Sequence, residues 1–151
     1  NTLLQLSRNF YFYRKINLKD AFETRIYLMF FHFSIFLLIF KKKRIEFPQK
    51  FYDSLFFAVE NNLRELGLGD VGVNKKMKDL NKIFYDILLK INTSETNIKL
   101  NKKLIIKYFP QLNYSNIVKY ELFNDYFINF YHFCFELSPE TMIKDALNFK
   151  V

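Results

Sequence analysis

An all-α fold, a single domain arranged as a bundle of about six to seven helices around a very apolar central helix, is predicted by three observations. The chain of 151 residues holds three glycines and three prolines, too few for the many turns of a sheet protein. Apolar residues recur at three-to-four-residue spacing over long stretches. The segment Ile26 to Phe40 is apolar on all sides, interrupted by His32 and Ser34, as the middle member of a bundle is.

The elements follow in order. A first helix is expected from about Thr2 to Tyr13, then a connector through Asn17-Leu18-Lys19-Asp20. The central helix runs from about Ala21 to Phe40 and stops at Lys41-Lys42-Lys43-Arg44. The fifteen residues from Ile26 to Phe40 would span roughly 22 Å against about 30 Å of hydrocarbon, so burial in a bundle is preferred to membrane insertion. Pro48 suits the first turn of a third helix, in which Phe51, Leu55, Phe56, Val59, Leu63 and Leu66 form one apolar stripe. The fourth, opened by Asn74 as its cap, carries Met77, Leu80, Phe84, Ile87, Leu88 and Ile91 on one face and ends at Asn92-Thr93-Ser94. A shorter helix from about Leu100 to Phe109 ends at Pro110. A long one from about Asn116 to Leu137 buries Tyr120, Phe123, Phe127, Phe130 and Cys134, and Ser138-Pro139-Glu140 has the cap, first-turn proline and early acid of a last helix start.

Every glycine lies in Gly67-Leu68-Gly69-Asp70-Val71-Gly72, between the third and fourth helices. The spacing satisfies G-x-G-x-x-G, but that motif cradles a pyrophosphate only when a strand feeds the turn. The feeding segment here is helical. Gly67 therefore reads as the left-handed residue closing the third helix, with Leu68 folded back on its last turn.

The run Asn62-Leu63-Arg64-Glu65-Leu66-Gly67-Leu68-Gly69-Asp70-Val71-Gly72-Val73, followed by Lys75-Lys76-Met77-Lys78 and Phe84-Tyr85, resembles the signature of the ubiquinol-cytochrome c chaperone family. A second stretch agrees: Arg8, Phe12-Tyr13, Asp20, Phe22, Arg25 and His32 match the family's spaced positions. The likeness is strongest from Arg8 to Tyr85 and compositional beyond. The chain departs from the family with Asp86 and Thr24 where glycine is common and Lys19 where proline is. The resemblance implies a non-enzymatic assembly chaperone for the cytochrome bc1 complex that binds cytochrome b or an early assembly intermediate, without cofactor or DNA. In mitochondrial relatives a small partner chaperone acts beside it near the ribosomal exit. It also implies a location at the inner face of a bacterial membrane or the matrix side of the mitochondrial inner membrane. On this reading Arg64, Gly67, Gly69, Asp70, Gly72, Lys75, Lys76, Lys78, Phe84 and Tyr85 form the partner-binding region, whereas Arg8, Tyr13, Asp20, Arg25 and His32 hold the bundle together.

Composition sets the outer limits. Half the residues are hydrophobic, which excludes disorder, and 151 residues suit one domain. Phe, Tyr, Lys, Asn and Ile make up about half the chain, a bias toward AT-rich codons that discounts the charge as a functional signal. A net charge of +8 still favours polyanionic partners such as an anionic membrane surface or ribosomal RNA. The basic residues form three clusters, at 41–44, at 75, 76, 78 and 82, and at 99, 102, 103 and 107. The single Cys134 forbids an internal disulfide and fits a reducing compartment. His32 is expected to be a core residue with one hydrogen bond satisfied, and with His132 a hundred positions away no metal set is apparent. Asp20 with Arg25 and Arg64 with Asp70 are expected to tie loops to the bundle, Asp70 also accepting loop amide hydrogens. The chain opens without a start methionine, from which a trimmed amino terminus is expected, with any targeting or anchoring segment upstream. Two rival functions are a permanent structural subunit of a respiratory or ribosomal assembly, and an enzyme acting on haem, quinone or lipid through His32 or Tyr85.

Overall fold

The computed structural model describes residues 1–94 and 97–151. Seven α-helices account for most of them: α1 (Thr2–Ser7), α2 (Phe22–Lys42), α3 (Gln49–Glu65), α4 (Asp70–Lys90), α5 (Lys102–Tyr108), α6 (Ile117–Phe135) and α7 (Met142–Asp145). A π-helical turn, Tyr11–Lys15, lies between α1 and α2. The all-α expectation holds, with one addition: strands β1 (Asn92–Thr93) and β2 (Ile98–Lys99) pair antiparallel where a plain helix end was expected.

The centre is α2. Every residue from Leu28 to Phe36 is buried, because α1, α4 and α6 pack around it. Phe30 and Phe33 meet Phe84 of α4 at ring-centroid distances of 5.4 and 5.6 Å, while Phe31 meets Phe127 of α6 at 5.5 Å. This helix is long and apolar enough to cross a membrane, yet two-thirds of its apolar window is covered by the rest of the chain, as in a core helix.

Several boundaries differ from the sequence expectation. The first helix ends at Ser7, not Tyr13: the Ser7 hydroxyl donates to the Leu4 carbonyl at 2.8 Å, and the Asn9 side chain accepts from the Tyr11 amide at 3.0 Å, which restarts the chain as a π-turn. Asn74 is not a cap. Extended Gly69 takes that position, its carbonyl accepting from the Val73 amide at 2.9 Å, and Asp70 occupies the first turn, where the helix dipole favours a carboxylate. At the other end of the chain Ser138 does not start a helix. Its hydroxyl bonds the Glu140 carboxylate, and α7 begins only at Met142.

Three helical segments end on left-handed residues. Gly67 has φ 92°, with its amide bonded to the Arg64 carbonyl at 2.9 Å and the Leu68 amide reaching Leu63 at 3.4 Å, the double bond of a Schellman close. Arg44 (φ 58°) closes α2 in the same way through Ile45 to Phe40, and Asn17 (φ 67°) closes the π-turn through Leu18 to Phe12. Within the basic run expected to stop α2, the helix continues through Lys42, and Arg44 is the residue that closes it.

Candidate functional site

The glycine junction is a tight corner with an apolar rim. Arg64 near the end of α3 donates to Asp70 at 2.5 Å and to Glu60 at 3.1 Å, so one guanidinium holds the first turn of α4 against the last turns of α3. The Asp70 carboxylate is engaged with this guanidinium, in place of the loop amides expected of it. Around the pair Leu66, Leu68 and Val71 face solvent, Val71 with 85% of its surface exposed. Only Gly67 needs glycine conformationally. A Cβ on Gly69 would meet nothing within 4 Å, and one on Gly72 would make ordinary contact with Leu68 at 3.5 Å. No strand enters the corner, so the pyrophosphate reading has no structural basis.

The expected partner-binding set is not one cluster. Lys75 and Lys78 are exposed and Lys76 half-buried along α4, but Phe84 and Tyr85 lie about 9 to 15 Å farther along the helix at its ordinary rise. Phe84 is 0% exposed, a core ring between Phe30 and Phe33, and offers no contact to a partner. Tyr85 is exposed, with its hydroxyl 3.4 Å from that of Tyr52 on α3.

The residues expected to be structural are more open than predicted. Arg8, Tyr13, Asp20 and Arg25, with Phe10 and Arg14, line a recess of about 420 Å³. A neighbouring recess of about 340 Å³ shares Arg8 and Arg25 and extends to Glu65 and Leu66 at the entrance to the glycine corner. The two stretches that carry the family resemblance therefore meet along one groove. Within it Arg25 pairs with Asp20 at 2.5 Å, the Arg14 guanidinium lies 4.4 Å from the centre of the Phe10 ring, and the Tyr13 hydroxyl donates to the Ser7 carbonyl at 2.7 Å. Burial raises the Tyr13 phenol to about 12, so it remains a donor. A sequence signal was present: three of the chain's five arginines, at 8, 14 and 25, fall in this short stretch of a chain otherwise rich in lysine.

His32 lies deep in the bundle. Its Nδ1 is 2.7 Å from the Leu28 carbonyl, which only accepts, so Nδ1 carries the hydrogen and Nε2 accepts from the Tyr126 hydroxyl at 2.9 Å. Both nitrogens are satisfied, one more than expected. Burial outweighs the Leu28 hydrogen bond and lowers the imidazole to about 3, leaving it neutral near pH 7. With Phe12, Phe127 and Phe130 packed around it, the ring has no face open to a substrate. Cys134 is likewise buried, its thiol pushed up to about 12 by desolvation. Among the described residues no group of three His, Cys, Asp or Glu is placed to hold a metal.

Several lysines of the three basic clusters are tied to the bundle. Lys42 donates to the Ser94 carbonyl at 2.5 Å, and Lys43 to the Phe135 and Leu137 carbonyls at 2.5 and 3.2 Å, satisfying the end of α6. Lys107 pairs with Asp86 at 2.9 Å, and Lys102 covers the rings of Tyr114 and Tyr120.

A family model described as ubiquinol-cytochrome C chaperone matches residues 14–104, more than half of the chain. The chain belongs to this family. No curated protein and no solved structure matches it. The matched segment holds Arg14, Asp20, Arg25, His32 and the whole glycine corner; Arg8 and Tyr13 precede it, and α6 and α7 follow it. Asp86, expected from the resemblance to stand where glycine is common, has a visible role. Asp86 accepts from Lys90 at 2.5 Å, from the Tyr108 hydroxyl and from Lys107, which binds α4 to α5 and holds the carboxyl well below its ordinary range.

Proposed function

We propose that this ubiquinol-cytochrome C chaperone family member is a non-enzymatic assembly factor for the cytochrome bc1 complex, binding cytochrome b or an early intermediate through the corner from Leu66 to Lys78. Family membership carries the reading. The apolar rim of Leu66, Leu68 and Val71 supports the choice of surface, because contiguous exposed apolar side chains on a hydrogen-bonded turn suit contact with a hydrophobic client. Lys75 and Lys78 on the adjoining helix favour an anionic membrane surface or ribosome close by. Residues 1–151 act together as one domain, on the matrix or cytoplasmic side of the membrane, with a small partner chaperone as a further binder.

The test uses cells lacking the gene, complemented with the natural chain or with a Leu66→Ser, Val71→Ser variant. Deletion is expected to reduce cytochrome b and bc1 content several-fold, and the variant to fail in restoring it although its far-UV circular dichroism matches the parent. Ordinary bc1 content after deletion would overturn the chaperone reading; full rescue by the variant would remove the corner as the contact.

A further inference from the structure

We propose that the groove between Phe10 and Leu66 holds a segment of the client polypeptide that presents one carboxylate flanked by apolar side chains, an inference that rests on the chaperone reading for the word client. Arg8 stands on the wall shared by the two recesses and makes no ion pair among the described residues. Its neighbours are already fixed: Asp20 orients Arg25, and the Phe10 ring orients Arg14. A guanidinium fork matches a carboxylate through two parallel hydrogen bonds, and prior orientation of the surrounding groups lowers the cost of binding.

Shape and charge select the occupant. The recesses are concave and hold about 420 and 340 Å³, room for a few side chains, whereas a bilayer presents a broad surface that would reach the rim but not the arginine between. Two carboxylates, Asp20 in one recess and Glu65 in the other, lie on either side of Arg8 along the groove. Glu65 at one end disfavours an extended polyanion such as an RNA backbone, while Arg8, the guanidinium common to both recesses that has no ion pair among the described residues, favours a carboxylate. Phe10, 66% exposed, and Leu66, 61% exposed, offer apolar contact to the flanking residues of such a segment.

Fluorescence anisotropy with the full chain tests this, using a labelled twelve-residue peptide with one central Glu between Leu and Phe, the same peptide with Gln, and phosphatidylglycerol vesicles. The Glu peptide is expected to bind at least tenfold more tightly than the Gln peptide. Arg8→Ala should abolish that difference and Arg8→Lys restore part of it. Arg8 is exposed, so circular dichroism of Arg8→Ala should match the parent. Equal affinity for the two peptides, absence of peptide binding, or an Arg8→Ala loss confined to vesicles would overturn the proposal. Lack of Glu selectivity with reduced bc1 in deleted cells would sink the groove and leave the chaperone reading standing. Arg8-dependent selectivity with ordinary bc1 in those cells would do the reverse.

Discussion

The core around His32 and the corner around Gly67 solve opposite problems. Around His32 a polar ring is enclosed by aromatic side chains, and both nitrogens find partners on separate helices. At the corner the backbone is fixed by Gly67 and by the Arg64 ion pairs, while Leu66, Leu68 and Val71 are left facing water. One region satisfies every group of its imidazole internally; the other leaves apolar side chains without partners. An apolar surface on a closed turn suits a polypeptide-binding protein, because the backbone is already in its bonded form before contact.

Three measurements sharpen the contrast, the first with the largest effect. His32 has a folded value near 3, below the unfolded value of about 6.5, so between these limits the unfolded chain binds the extra proton. Stability is then fully retained above about pH 6.5 and falls as pH drops, by about 1.4 kcal/mol per unit, or about 2 kcal/mol at pH 5. Urea midpoints from pH 7 to 5 should show this slope, and His32→Leu should flatten it. A level profile for the natural chain would mean that His32 is not held neutral.

At the corner the effects are smaller and differ in sign. Gly67→Ala should cost about 1 kcal/mol because alanine is strained at positive φ, whereas Gly72→Ala, in the first turns of α4 with room for a Cβ, should stabilise by about 0.5 kcal/mol. Equal changes in thermal midpoint for the two would show that the corner is not closed by Gly67 alone. Smallest is Arg44→Gly, at the equivalent left-handed end of α2, expected to stabilise by about 0.5 kcal/mol. A loss there would assign the Arg44 side chain a contact that outweighs its backbone strain.

The same contrast explains what could be read in advance. Apolar spacing located α2, α3, α4 and α6, since burial repeats with the helix turn, and it placed Phe123, Phe127, Phe130 and Cys134 correctly inside. Gly67 was legible because a helix closing on a left-handed residue favours glycine. Arg44 and Asn17 perform the same task without that signature, so the basic run 41–44 marks the end of α2 in sequence but does not single out Arg44 as the residue that closes it. Asn9 and Ser138 show a second limit: a short polar side chain can cap, break or bond a neighbour, and only the surrounding backbone decides which. Phe84 was misassigned because an aromatic residue in a family signature looks the same in a core as at a contact. The arginine groove is legible only in part, through the arginines at 8, 14 and 25. Its walls come from the start of the chain and from the end of α3, and no local pattern encodes their meeting.

The bond from His32 to Tyr126 joins residues separated by 94 positions, and its second member lies beyond the segment shared with the family. A ribosome releasing this chain in order would have exposed the greasy flank of α2 well before α6 arrived to cover it. The edge of the recognisable segment is thus not a place to cut: a fragment stopping near residue 104 keeps the family signature but leaves Phe31 and His32 without the rings that enclose them. On the proposed function, the chaperone itself begins life with the same problem as its client.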